Sequence, residues 1–101
     1  MDLNELRIEL DHIDREMVNL FERRMRVCED VARYKMGVGK PVLDASREKQ
    51  KLQSVADQLP EDLQEYGVNL YSVMMELSRS AQTRLMGHEN DLTNRHLSLD
   101  V

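Results

Sequence analysis

Apolar side chains recur every seventh residue at Leu3, Leu10, Met17 and Val31, and Arg24 stands where the series calls for one more. A charge held in an apolar seam needs a partner, because desolvating an unpaired ion costs on the order of several kcal/mol. Two readings follow. In one, the guanidinium makes a structural ion pair or snorkels out of the seam to water. In the other, it belongs to an anion-binding site within a helical core, where its planar fork of donors suits a carboxylate. Lys35 lies about three turns further along the same helix and by itself reads as an ordinary solvated lysine. Arg7 is about 25 Å of helical rise away from Arg24, too far for one chain to bring both to a single small ligand. An antiparallel partner helix crossing near Met17 would set its own Arg7 between Arg24 and Lys35 and form two equivalent composite pockets, which the geometry permits without requiring.

Two further groups have spacing suited to a site. Asp44, Arg47 and Glu48 fall at i, i+3 and i+4, which places two acids and a base on one helical face; helix capping with surface ion pairs is the plainer account of them. Ser78 and Gln82, also i and i+4, flank the apolar Met74, Leu77 and Ala81 and need hydrogen-bond partners, whether from neighbouring protein groups or from a ligand. Other candidates carry less. His12, His88 and His96 are too scattered for a metal site within one chain. Cys28 has no evident base and reads as a small core residue. Gly37-Val38-Gly39 is a helix terminator, not a phosphate loop.

The elements that must position these residues are helices. The heptads of the first segment, with a second register at Leu6, Ile13, Leu20, Val27 and Tyr34, predict one long helix over about 3–36, closed by Gly37, Gly39 and Pro41. Asp44 is suited to cap a short second helix over about 44–58. Pro60, Glu61 and Asp62 suit the start of a third over about 61–86, with the stripe Leu63, Leu70, Val73, Met74, Leu77, Ala81 and Leu85, Gly67 as a weak point and an end near Gly87. The expected architecture is all-α: a helical domain over 1–87 and a polar, poorly ordered tail over 88–101.

Composition agrees. A chain of 101 residues buries only about 60–65% of the surface its unfolded form exposes, so a core shared by two subunits would help it. With 19 acidic against 14 basic side chains and a net charge of -5, the composition argues against a nucleic-acid surface, and an acidic partner surface fares no better. No segment approaches the roughly 20 apolar residues of a membrane span, and the first residues lack the pattern of a signal peptide, so a cytoplasmic protein is expected. The single cysteine fits a reducing compartment.

Taken in order, Arg7, Arg24, Lys35, Asp44, Arg47, Glu48, Ser78 and Gln82 resemble the active-site pattern of the all-helical class of chorismate mutases. The likeness runs from about Leu3 to Leu85 and is strongest in KPVLDASRE and ELSRSAQ. It implies an intertwined homodimer of three-helix subunits that converts chorismate to prephenate by a [3,3] rearrangement, in phenylalanine and tyrosine biosynthesis, without metal or cofactor. It also implies roles. Arg24 and the partner's Arg7 would pair with the two substrate carboxylates, Lys35 and Gln82 would donate to the ether oxygen, and Glu48 with the backbone at Asp44 would hold the ring hydroxyl. Ser78 would bind near a carboxylate, and Arg47 would complete a cationic wall. The competing readings are an isochorismate pyruvate lyase and a non-catalytic helical module that dimerises or binds a metabolite.

Overall fold

A computed structural model describes the backbone of residues 1–97 and the side-chain surroundings of residues 1–87. Three helices follow one another, α1 (Leu3–Val38), α2 (Ala45–Asp57) and α3 (Glu61–Leu97), and among the described residues there is no strand.

Helix α1 begins where Asp2 caps it, the Asp2 carboxylate accepting from the Asn4 amide at 3.1 Å. It ends two residues later than expected. Gly37 stays helical, and Gly39 is the terminator, at φ 72° and ψ 25°. The left-handed turn costs a residue with a Cβ about 1–2 kcal/mol, hence glycine. The Lys35 carbonyl accepts from the Gly39 amide and, at 2.9 Å, from the Lys40 amide. The chain then reverses through Pro41, and Asp44 caps α2 by accepting from the Arg47 amide at 3.0 Å. After α2 the Pro60 carbonyl accepts from the Leu63 amide at 2.9 Å, and Glu61 and Asp62 occupy the first turn of α3, where the helix dipole favours acids.

The third helix does not stop at about 86. It continues to Leu97. Gly87 takes no positive φ, and a glycine within a helix costs only about 1 kcal/mol relative to alanine. Nothing from His88 to Leu97 is Gly or Pro, so nothing there breaks the helix. Of the expected tail, residues 98–101 lie outside the described residues.

Helix α3 packs against both α1 and α2, whereas α1 and α2 do not pack on each other. At Gly67 the end of α2 and the turn after it come close: a Cβ there would stand 2.2 Å from Leu59 Cδ1 and 3.4 Å from Val55 Cγ1, so the position that is weak for helix propensity is also where the packing needs a glycine. Among the described residues the buried apolar core is small, namely Ala32, Val55 and Met75. The face that α1 turns toward α3 carries Met25, Cys28, Ala32 and Met36. The heptad stripe is a different face. Leu3, Leu6, Leu10, Ile13, Met17, Leu20, Val27, Val31 and Tyr34 are all exposed on the single chain, as are Leu63, Leu70, Val73 and Leu77 of α3. The chain measures 65 × 33 × 16 Å with a radius of gyration of 18.5 Å. A compact domain of this length has about 13 Å. One chain therefore forms a slab little thicker than a helix, with its longest apolar stripe uncovered.

Candidate active site

Between the second half of α1, the start of α2 and the middle of α3 lies a cleft of about 230 Å³. Arg24 and Lys35 reach it from α1; their separation of eleven residues returns a helix to within roughly 20° of the same face. Asp44, Arg47 and Glu48 enter from the cap and first turn of α2, and Ser78 and Gln82 from one face of α3. Seven of the eight residues singled out above thus share one cleft. Arg7 does not line it. It sits on the exposed first half of the unbroken helix α1, about 25 Å of helical rise from Arg24.

The polar groups in this cleft are incompletely satisfied. Arg24 is half-buried, and its Nη1 is shut away from solvent with no hydrogen-bond partner. Its guanidinium carbon lies 5.8 Å from the centre of the Tyr71 ring, a cation–π contact that supplies no hydrogen-bond acceptor. Gln82 is 6% exposed, its Nε2 donates to Ser78 Oγ at 3.0 Å, and its buried Oε1 has no partner. A half-turn of the amide would let the Ser78 hydroxyl donate to Oε1 and turn both Nε2 hydrogens away from Ser78. Lys35 Nζ donates to the Val42 carbonyl at 2.7 Å, which uses one of its three hydrogens. One oxygen of the Asp44 carboxylate, Oδ1, accepts the capping bond from the Arg47 amide. Glu48 forms an ion pair with Arg79 across the α2–α3 junction. Val31, Val42 and Met75 supply apolar walls, and Cys28, expected as core, is half-buried and lines the cleft beside them.

Sequence reasoning passed over Lys51 and Arg79, both of which line the cleft. Their spacing held the signal: Lys51 is one turn beyond Arg47 and Glu48, and Arg79 adjoins Ser78 and precedes Gln82 by three. With them, Arg24, Lys35, Arg47, Lys51 and Arg79 face only Asp44 and Glu48, so a chain of net charge -5 concentrates positive charge here. The arrangement can bind an anion with more than one negative group and can direct neutral and cationic N–H donors at a bound oxygen. Its lining holds no histidine to serve Ser78 or Cys28 as a base. Among the described residues, no group of three or more His, Cys, Asp or Glu side chains is placed to hold a metal ion, and no helix is long and apolar enough to cross a membrane.

Neither a curated protein nor a solved structure matches the chain. A family model does: that of chorismate mutase type II matches residues 6–83, a span that includes both Arg7 and Gln82. The chain, over more than three-quarters of its length, belongs to the chorismate mutase type II family.

Proposed function

We propose that this chain is a chorismate mutase that rearranges chorismate to prephenate in the cleft between its three helices, as a homodimer in which each cleft is completed by Arg7 of the other subunit. The observation that carries this reading is Arg24 Nη1, a buried donor left without a partner in a cleft otherwise rich in cations, beside a Gln82 amide that is free to turn both of its hydrogens from Ser78 toward a ligand. A buried donor left without a partner costs about 1–3 kcal/mol, and a ligand oxygen that accepts from it removes that cost. Chorismate carries two carboxylates, an ether oxygen and a ring hydroxyl, which is what these groups would bind.

The reaction needs no nucleophile and no proton transfer. One C–O bond breaks as one C–C bond forms in a cyclic shift of electron pairs, and the barrier falls if the substrate is held in its compact diaxial form and if charge building on the ether oxygen is stabilised. Arg24 and the partner's Arg7 would hold the carboxylates and so select that conformer. Lys35, with two hydrogens left after its bond to Val42, and Gln82, with its amide turned from Ser78, would donate to the ether oxygen. Ser78 would then stand beside a carboxylate, and Glu48 with the backbone at Asp44 would take the ring hydroxyl. Arg47 would complete the cationic wall. The dimer is supported by the uncovered heptad stripe of α1 and by the distance of Arg7 from its own cleft. This reading carries with it a place in phenylalanine and tyrosine biosynthesis and a cytoplasmic location, which the single cysteine fits.

Purified protein mixed with chorismate tests the proposal through the loss of the diene absorbance and identification of the product. Prephenate is expected. Pyruvate release would assign the chain to lyase chemistry instead, and no turnover would leave a binding module.

A further inference from the structure

We propose that Arg79 is a positioning residue that fixes the Glu48 carboxylate for the substrate hydroxyl, an inference that rests on the mutase reading of the cleft. Arg79 belongs to none of the roles assigned above, yet it lines the cleft between Ser78 and Gln82 on α3, and its Nη1 meets Glu48 Oε1 on α2. The ion pairs Arg26–Glu22, Arg26–Glu29 and Arg33–Asp30 each join neighbours on one helix. Arg79–Glu48 instead ties two helices together inside the cleft, with side chains 35% and 25% exposed.

The pair is half-buried, so its loss is expected to cost some stability, and melting temperatures separate that cost from its effect on substrate binding. What it does is fix a rotamer. A glutamate on an exposed helix face samples several side-chain conformations; with Oε1 held from α3, Glu48 keeps one, and Oε2 is left to accept from a ligand. Lys51, one turn along α2, is the cation placed to draw the carboxylate aside once Arg79 is gone. Because the ring hydroxyl takes no part in the bonds that break and form, an acceptor for it binds substrate and transition state alike. Its loss therefore appears in KM and not in kcat.

Steady-state kinetics with chorismate on the full chain test this, using wild type, Arg79→Ala, Arg79→Lys, Glu48→Ala and the double variant Glu48→Ala/Arg79→Ala, each with its melting temperature. Wild type is the first control: if it does not turn over chorismate, the mutase reading fails and this inference falls with it before any variant is measured. Given turnover, Arg79→Ala is expected to raise KM about tenfold with kcat within about twofold, short of the roughly hundredfold that misplacing a group by 1 Å costs. Arg79→Lys, which keeps a charge without the fork, should recover part of that loss and carries the test if Arg79→Ala does not fold. In the Glu48→Ala background, Arg79→Ala should add less than about twofold, because a residue that acts through Glu48 has nothing left to act on. An equal loss in both backgrounds, or a fall in kcat that tracks the melting temperature at unchanged KM, would overturn the proposal.

Discussion

Replacing Arg24 by methionine would complete the apolar series of α1 at the one position that interrupts it, and the two accounts of Arg24 predict opposite effects on stability. The structure supplies the magnitudes. Arg24 Nη1 is buried without a partner, and such a group costs about 1–3 kcal/mol. The contact with Tyr71 at 5.8 Å offsets about 0.5–1 kcal/mol of this. Removing both leaves a net stabilisation of about 0–2.5 kcal/mol, with a midpoint of about 1 kcal/mol that would raise the melting temperature of a domain this size by roughly 4–8 °C. Loss of a bidentate, charge-assisted grip on a carboxylate works against activity by about 3–4 kcal/mol, or a factor of roughly 10²–10³ in kcat/KM. The expected result is thus a protein that is more stable and nearly inactive. Thermal unfolding followed by circular dichroism, at matched subunit concentration because association shifts the midpoint, and initial rates with chorismate measure the two halves. A lower melting temperature would show that Arg24 is a structural ion-pair residue after all. Undiminished activity would remove it from the site.

Three other substitutions follow from the same geometry. Gln82→Glu places a carboxyl where an amide donates: ionised, it only accepts, and protonated, it donates, so activity should fall about 10²–10³-fold at neutral pH and return as pH is lowered, while wild type shows no such dependence; an unchanged pH–rate profile would refute the role. Gly39→Ala forces a Cβ into the left-handed turn at φ 72° with nothing within 4 Å to clash, so the cost of about 1–2 kcal/mol is purely backbone and should lower the melting temperature by several degrees. Asp44→Ala removes the bond to the Arg47 amide at 3.0 Å, which should cost about 1 kcal/mol of stability and raise KM as the first turn of α2 loosens around Glu48.

The cleft was more legible in the sequence than the packing. Arg24 announced itself as a charge in an apolar register, and Asp44 and Ser78–Gln82 by their helical spacing, because a polar group at a periodic position is a local signal. The place of Arg79 beside Ser78 was legible too, but its pairing with Glu48 was not, since Glu48 lies on another helix 31 residues away. The heptad stripe is present as a pattern, but within one chain it is not the face that packs: Met25, Cys28, Ala32 and Met36 are the less exposed residues of the second half of α1, while Val27 and Tyr34 look outward and Val31 only edges the cleft. Periodicity marks out an apolar stripe without showing what it packs on. The end of α3 was missed for a simpler reason. Gly87 is a poor helix former but not a breaker, and the ten residues after it contain nothing that stops a helix.

The central claim is that each cleft needs both its own Arg24 and the other subunit's Arg7, and mixing tests it most directly. Arg7→Ala and Arg24→Ala are each expected to be inactive, because every pocket in either homodimer lacks one arginine. A heterodimer of the two places both losses in one pocket and leaves the other whole. Equal amounts allowed to exchange subunits should therefore regain about a quarter of the wild-type rate at saturating chorismate, the share of intact pockets after random pairing. No recovery, with subunit exchange demonstrated independently, would contradict the shared site.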